Sequence, residues 1–199
     1  MRFNVVFLQM GLNRILSWLY TFLISIGCQR VKIGRGSIVF FRSSIVNASK
    51  LGGALIGTDC RIGCPSKMYH GGLPFYTKIL ITGNDGFVKI GNNTRINGAN
   101  IHAEKKIEIG NRCVIASGVH IMDSNGHEVS SLDRTIGRDE PKEIIIGNNV
   151  WIGVNAIILK GTVIGDNSIV SAGSVVKGEF PGNVIIEGNP AGIARNLDL

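Results

Sequence analysis

Between Ile146 and Val176 an aliphatic residue stands at every sixth position: Ile146, Ile152, Ile158, Ile164, Val170 and Val176. Neither a helix of period 3.6 nor a strand of period 2 requires a strict period of six. A unit of short strand plus tight corner does. Four positions after each aliphatic stand Val150, Ala156, Thr162, Ser168 and Ser174, and the position one after is often glycine, as at Gly147, Gly153 and Gly165. Three such units closing one triangular coil would stack the aliphatics inside and leave the corners to small or conformationally permissive residues. Successive coils would then pair about 4.8 Å apart, as hydrogen-bonded strands do, in an all-β parallel β-helix.

The same register can be followed backwards. Ile33, Val39, Ile45 and Leu51 are six apart, and Ile56 and Ile62 continue after the loss of one residue. Ile90 and Ile96 resume the pattern after a break at about 67–89, where Gly71-Gly72-Leu73-Pro74 and Gly83-Asn84-Asp85-Gly86 read as turns. His102 falls in the next aliphatic slot and reads as a core histidine with a local partner. Ile109, Ile115 and Ile121 complete a further rank. A polar excursion of about 122–145 then interrupts the hexads, carrying His127, Glu128, Asp133, Arg134, Arg138 and Asp139. Long polar departures from a regular scaffold are usually functional.

One extended domain is expected over 31–199, the β-helix, preceded by an apolar helical segment over residues 1–30. Asn13, Ser17, Thr21 and Ser25 recur at four, which suits a helix with one polar stripe. The uninterrupted apolar block, Ile15 to Gly27, is shorter than the roughly 20 residues that a membrane span needs. Residues 3–27 therefore suit either a cap on the open end of the first coil or peripheral membrane contact. Ser25-Ile26-Gly27-Cys28 loosely resembles a lipoprotein cleavage site, but Arg14 inside the apolar run argues against a secretory leader.

Cys28, Cys60, Cys64 and Cys113 lack the paired spacing of a zinc site and read as cytosolic thiols. Cys60 and Cys113 each follow an isoleucine by four, in the small-residue slot, and read as small hydrophobes filling corners. The net charge of +7 suggests an anionic partner, yet the basic residues are scattered and no nucleic-acid module is present.

The runs Ile146-Ile-Gly-Asn-Asn-Val-Trp-Ile-Gly, Ile164-Gly-Asp-Asn-Ser-Ile-Val-Ser-Ala-Gly-Ser-Val-Val and Gly188-Asn-Pro-Ala191 resemble the hexapeptide-repeat acyltransferases. The likeness is to the maltose, galactoside and bacterial glycan O-acetyltransferase branch, and it is specific from about residue 90 to 195. The resemblance implies a left-handed coil, whereas the general rule for parallel crossovers would favour the right hand. It also implies a cytoplasmic homotrimer, with acetyl-CoA in the groove between neighbouring prisms and a sugar or glycan acceptor at its inner end. No metal is required.

In the family the catalytic histidine follows an Asp-Ser or Asp-Thr pair in the excursion. Asp123-Ser-Asn-Gly-His127 supplies that arrangement here, making His127 the implied general base. A neutral imidazole can take the proton of a hydroxyl as it attacks a thioester, and backbone N–H groups at tight corners can hold the resulting oxyanion. Asp123 would orient the imidazole or touch the acceptor, with Glu128 as its competitor. Asn97 matches the acceptor-contacting asparagine, although it also reads as an ordinary turn residue. His120 reads as outward surface, and His70 lies in an unmatched loop.

Trp151, Gly153, Ala172, Lys177 and Arg195 match positions lining the family's cofactor groove, with Lys160 as a further candidate for its phosphates. The chain departs from the pattern at Lys177-Gly178, where many relatives carry Thr-Lys, and at Gly192, where many carry a base. The implied activity is acetyl transfer to a sugar hydroxyl in capsule, O-antigen or similar glycan synthesis. A lipid-linked intermediate at the inner face of the membrane would give the apolar segment a purpose. An amino-sugar or antibiotic acetyltransferase and a non-catalytic β-helix are the alternatives.

Overall fold

The computed structural model describes residues 2–64, 69 and 72–198, with residues 2–12 described through their backbone alone. His70 and Lys67 lie outside the described residues. Helix α1 (Arg2–Gly27) is followed by a left-handed parallel β-helix whose strands visit three faces in rotation. In the regular coil, Ile144–Ile146 lies on the first face, Trp151–Ile152 on the second and Ile157–Leu159 on the third, before Val163–Ile164 returns to the first. Among the described residues the faces are sheets of seven, eight and six strands. All are parallel except at the end of the second face, where Ala191–Asn196 folds back antiparallel on Val184–Gly188.

Pairing registers carry the six-residue period into the third dimension. Ile146 pairs Ile164, Ile152 pairs Val170 and Ile158 pairs Val176, and all six side chains are buried. The corners have their own ladders. Ser37, Cys60, Thr94, Cys113 and Ser168 stack after the first face and donate to the carbonyls of Gly57, Gly91, Gly110, Gly147 and Pro181. A thiol therefore serves where a hydroxyl would, as a small buried donor. Burial pushes the Cys60 and Cys113 thiols up, away from the reactive thiolate.

Beside this ladder, Asn92, Asn111, Asn148 and Asp166 each accept a backbone N–H from the coil before. Short polar side chains here satisfy corner N–H groups that strand pairing cannot reach.

Three expectations from the hexad count need correction. Leu51 is not a core residue: it is 65% exposed, because an extra turn over residues 48–52 displaces the register, and Ala54 and Ile56 take the interior positions. His102 is not in the core slot either. One residue fewer separates Ile96 from the next rank, so Ile101 is buried and His102 faces outward from the third face. The break expected over about 67–89 is smaller, since Lys78–Ile81 and Phe87–Ile90 pair in register with Ser44–Asn47 and Gly53–Ile56.

Helix α1 lies against the first coil with its polar stripe inward. Thr21 Oγ1 accepts the Val39 N–H at 2.8 Å, Ser17 Oγ accepts the Phe41 N–H at 3.1 Å, and Tyr20 Oη donates to the Ser43 carbonyl at 2.8 Å. The first coil has no earlier coil to pair with, and these side chains occupy backbone groups that would otherwise form an open sheet edge. Ser25 departs from the stripe. It is exposed and bonds its own helix at Phe22.

Candidate functional site

The polar excursion leaves the third face after His120–Met122 and re-enters the first at Ile144–Ile146. Its base is closed by the Lys142 N–H donating to the Asp123 carbonyl at 2.8 Å. Farther out, Asp139 pairs with Lys160, whose ammonium also donates to the Glu140 carbonyl at 3.0 Å, and Arg138 meets Glu104 at 3.4 Å. The loop is thus pinned to the prism at several points rather than free.

His127 is exposed on this loop, and its Nδ1 lies 3.0 Å from the Arg134 carbonyl oxygen. A carbonyl can only accept, so this bond places the proton on Nδ1. Nε2 is left with its lone pair, the tautomer a general base needs. Arg134 is held in turn, its guanidinium donating to the Glu128 carbonyl at 3.2 Å and to Ser131.

Asp123 does not orient His127. Its carboxylate is buried and accepts three backbone N–H groups, from Glu104 and Lys105 at 2.8 Å and from Lys106 at 2.7 Å. Burial pushes this carboxyl above the ordinary aspartate value, against the downward pull of those N–H groups and of nearby His102. Its geometry is that of a clamp on the 104–106 turn. Glu128 is turned within the loop, with Oε1 accepting the Ser130 N–H at 3.3 Å.

The other candidate residues fall on distinct edges. Ile96, Ile115, Ile152 and Val170 are in register, so the corners that follow them stack Asn97 and Gly153 in one column, two strand spacings or about 10 Å apart. Asn97 is half-buried and its side chain makes no hydrogen bond to the described residues. Gly153 is required by close approach: a Cβ there would lie 2.7 Å from Ala172 N and 2.9 Å from Val170 O. The Ala172 N–H makes no hydrogen bond among the described residues and stands at an exposed corner.

Below that edge, Trp151, Ile169, Ile185 and Arg195 sit on adjacent strands of the second face in direct register. Trp151 and Arg195 are exposed, giving an apolar strip that ends in a guanidinium. Lys177 is exposed at the end of Val175–Val176 on the third face. Lys160 does not join the strip. It sits at the corner after the third face and is committed to Asp139, so it braces the loop instead of offering a free cation.

The hexad pattern does not point to three residues near this site. Glu104 is buried between His102 and Arg138, at 4.0 and 3.4 Å. The Ser117 hydroxyl is buried without a partner among the described residues, while its N–H approaches Tyr69 Oη at 3.3 Å. Phe75 stands edge-on to His120, with ring centroids 5.4 Å apart. Neither the Glu104 turn nor the Phe75 approach follows from a local motif; each depends on which coils the excursions bring together.

Residues 143–178 match the family model described as bacterial transferase hexapeptide (six repeats). Galactoside O-acetyltransferase of Escherichia coli (strain K12) is 39% identical over 92 residues, covering 46% of this chain and 45% of that protein. The putative lipopolysaccharide biosynthesis O-acetyl transferase WbbJ of the same organism is 33% identical over 122 residues, covering 57% and 62%. A solved galactoside acetyltransferase in complex with coenzyme A superposes with a TM-score of 0.53 at 37% identity, covering 56% of each chain. The chain therefore spans 45% and 62% of the lengths of these two curated relatives.

Proposed function

We propose that this hexapeptide-repeat chain is an acetyl-CoA-dependent O-acetyltransferase acting on a sugar hydroxyl of a bacterial surface glycan, with His127 as general base. The observation that carries the reading is the His127 contact with the Arg134 carbonyl, which leaves Nε2 free to accept a proton. Asn97, on the corner column of Gly153, is the residue offered to the acceptor. Glu128 is kept as a second acceptor contact.

The strip from Trp151 to Arg195 fits an acetyl-CoA molecule: an exposed aromatic and aliphatic surface for its apolar length and a cation for phosphate. Lys177 adds a second cation on the neighbouring face. The bound thioester supplies the acetyl group. Gly153 lets the chain pass close by Ala172, and the free Ala172 N–H is a fixed donor for charge developing on the carbonyl oxygen. His127 takes the hydroxyl proton on Nε2 while the Arg134 carbonyl keeps Nδ1 protonated; the tetrahedral oxyanion then collapses to the ester, the C–S bond breaks, and Nε2 returns the proton to the departing coenzyme A sulfur.

The His127 loop leaves the prism at the corner after the third face, whereas Gly153 and Ala172 mark the corner after the second. A homotrimer reconciles this by facing the loop of one copy toward the Gly153 edge of the next. The relatives named as galactoside O-acetyltransferase and as a lipopolysaccharide O-acetyl transferase support the choice of a sugar acceptor. The reading is tested by incubating the protein with acetyl-CoA and candidate glycans and locating the new ester by NMR. An O-acetylated sugar position is the expected product; acetyl-CoA hydrolysis alone, or an amide on an amino sugar, would overturn the assignment.

A further inference from the structure

Over residues 13–27 helix α1 turns its polar stripe to the prism, and its other side is apolar and uncovered among the described residues. Ile15, Trp18, Leu19, Phe22, Leu23 and Ile26 are all more than half exposed, Trp18 at 67%. This is the reverse of the usual surface helix, whose apolar stripe faces the core. Phe41 and Leu51 of the first coil add further exposed apolar surface at the same end.

The charge of the chain is distributed just as unevenly. Residues 1–58 contain seven basic residues and no acidic one, whereas residues 59–199 contain fourteen of each. The whole net charge of +7 therefore belongs to the helix and the first coils. Arg14, Arg30, Lys32, Arg35, Arg42 and Lys50 are exposed there, on the helix and on the coil against which it packs. A helix is about 10 Å across, so with its outer face sunk about 5–10 Å into a lipid headgroup region the first-coil cations come within about a Debye length, about 8 Å, of the lipid phosphates.

We infer that the helix-capped end of the prism docks on an anionic phospholipid bilayer, with the outer face of α1 lying in the membrane interface and the surrounding cations meeting lipid phosphates. The cap and the membrane contact are then two faces of one helix. Insertion across the bilayer is a different matter. No described helix is long and apolar enough to cross, and Ser17, Tyr20 and Thr21 tie this one to the first coil. A second copy packed head-to-head is a poor occupant of the face, because it would oppose two sets of cations directly with no acidic residue in residues 1–58 of either copy to pair with them, unlike the side-by-side packing of a trimer. Anionic lipid supplies both the apolar layer and the opposite charge, and each basic residue near its surface strengthens binding roughly fivefold.

The inference does not rest on acetyl transfer and is tested without donor or acceptor. The chain has two tryptophans, so in a Trp151→Phe background Trp18 is the one indole. Vesicles of phosphatidylcholine alone are compared with vesicles containing about 30% phosphatidylglycerol, a level that gives an anionic surface potential. Trp18 emission should shift to the blue on the anionic vesicles, and partition measured by co-sedimentation should be at least about tenfold stronger there and weaken in high salt. Phe22→Ser with Ile26→Ser should remove most of that partition while leaving the melting temperature near that of the parent, since both side chains point away from the prism. Absent binding, or equal binding to neutral and anionic vesicles, would overturn the inference. So would a fall in oligomer mass in the Phe22→Ser, Ile26→Ser variant without any vesicle binding by the parent, which would mean that a second copy covers the face.

Discussion

Asp123→Ala separates two roles for a carboxylate that stands four residues before His127. In the structure Asp123 accepts three N–H groups at 2.7–2.8 Å and is buried, so truncation leaves the Glu104, Lys105 and Lys106 donors without their acceptor. A buried donor left unpaired costs roughly 1–3 kcal/mol. Three donors, discounted because water can reach the vacated side, give about 4 kcal/mol, a large part of the 5–15 kcal/mol that holds a typical domain. For a chain of this length that is about 8–16 °C in melting temperature.

Asp123→Asn keeps one acceptor oxygen and should lose about half as much. The assay is thermal unfolding in parallel with the pH–rate profile at a temperature where the variant is folded. Asp123→Ala should melt early and keep the shape of the profile. A melting temperature within about 2 °C of the parent, with turnover lost, would refute the clamp and restore Asp123 as the partner of His127.

Gly153→Ala places a methyl group 2.7 Å from Ala172 N and 2.9 Å from Val170 O, both backbone atoms, so the corner must open. It should cost about 1–3 kcal/mol, or about 2–12 °C in melting temperature, and calorimetry should show coenzyme A affinity falling at least about tenfold. Unchanged affinity would remove this corner from the binding strip. Asp166 is held below the usual carboxylate range, first by the Asn148 N–H and then by the Asn148 side chain. Its stabilising contribution is therefore present above about pH 4 and lost as pH falls through its lowered folded value. Melting curves across that acid range should be steeper for the parent than for Asp166→Asn; identical slopes would mean that the contact carries no linkage.

The regular coils were legible in the sequence because their period is covalent: each side chain six residues on returns to the interior of the same prism. Cys60 and Cys113 were legible for the same reason, as occupants of a small buried slot. Register failed wherever one residue was added or lost without a local signal. The turn over residues 48–52 exposes Leu51, and the short step from Ile96 to Ile101 turns His102 outward.

At the candidate site, the loop and its histidine could be read from the interruption of the repeat and from family resemblance. The partner of that histidine could not. Spacing suggested Asp123, but the carboxylate points at a turn some eighteen residues earlier in the chain, and a backbone carbonyl takes its place. Backbone acceptors carry no sequence signature. Lys160 was misread for a related reason, since its partner Asp139 lies on the irregular loop, whose path no period dictates.

The inward polar stripe of α1 illustrates how a correct pattern can leave its meaning open. Spacing of four identified Ser17 and Thr21 as one side of a helix. Only the packing shows that this side meets the unpaired edge of the first coil and leaves the apolar side outward.

The most direct measurement is acetyl transfer from acetyl-CoA to a sugar acceptor by His127→Ala, with coenzyme A binding and oligomer mass determined on the same preparation. Loss of general-base catalysis should lower turnover by about 10²–10⁴-fold while coenzyme A affinity and mass stay at the parent values. Turnover equal to that of the parent would contradict the assignment of His127 as the base.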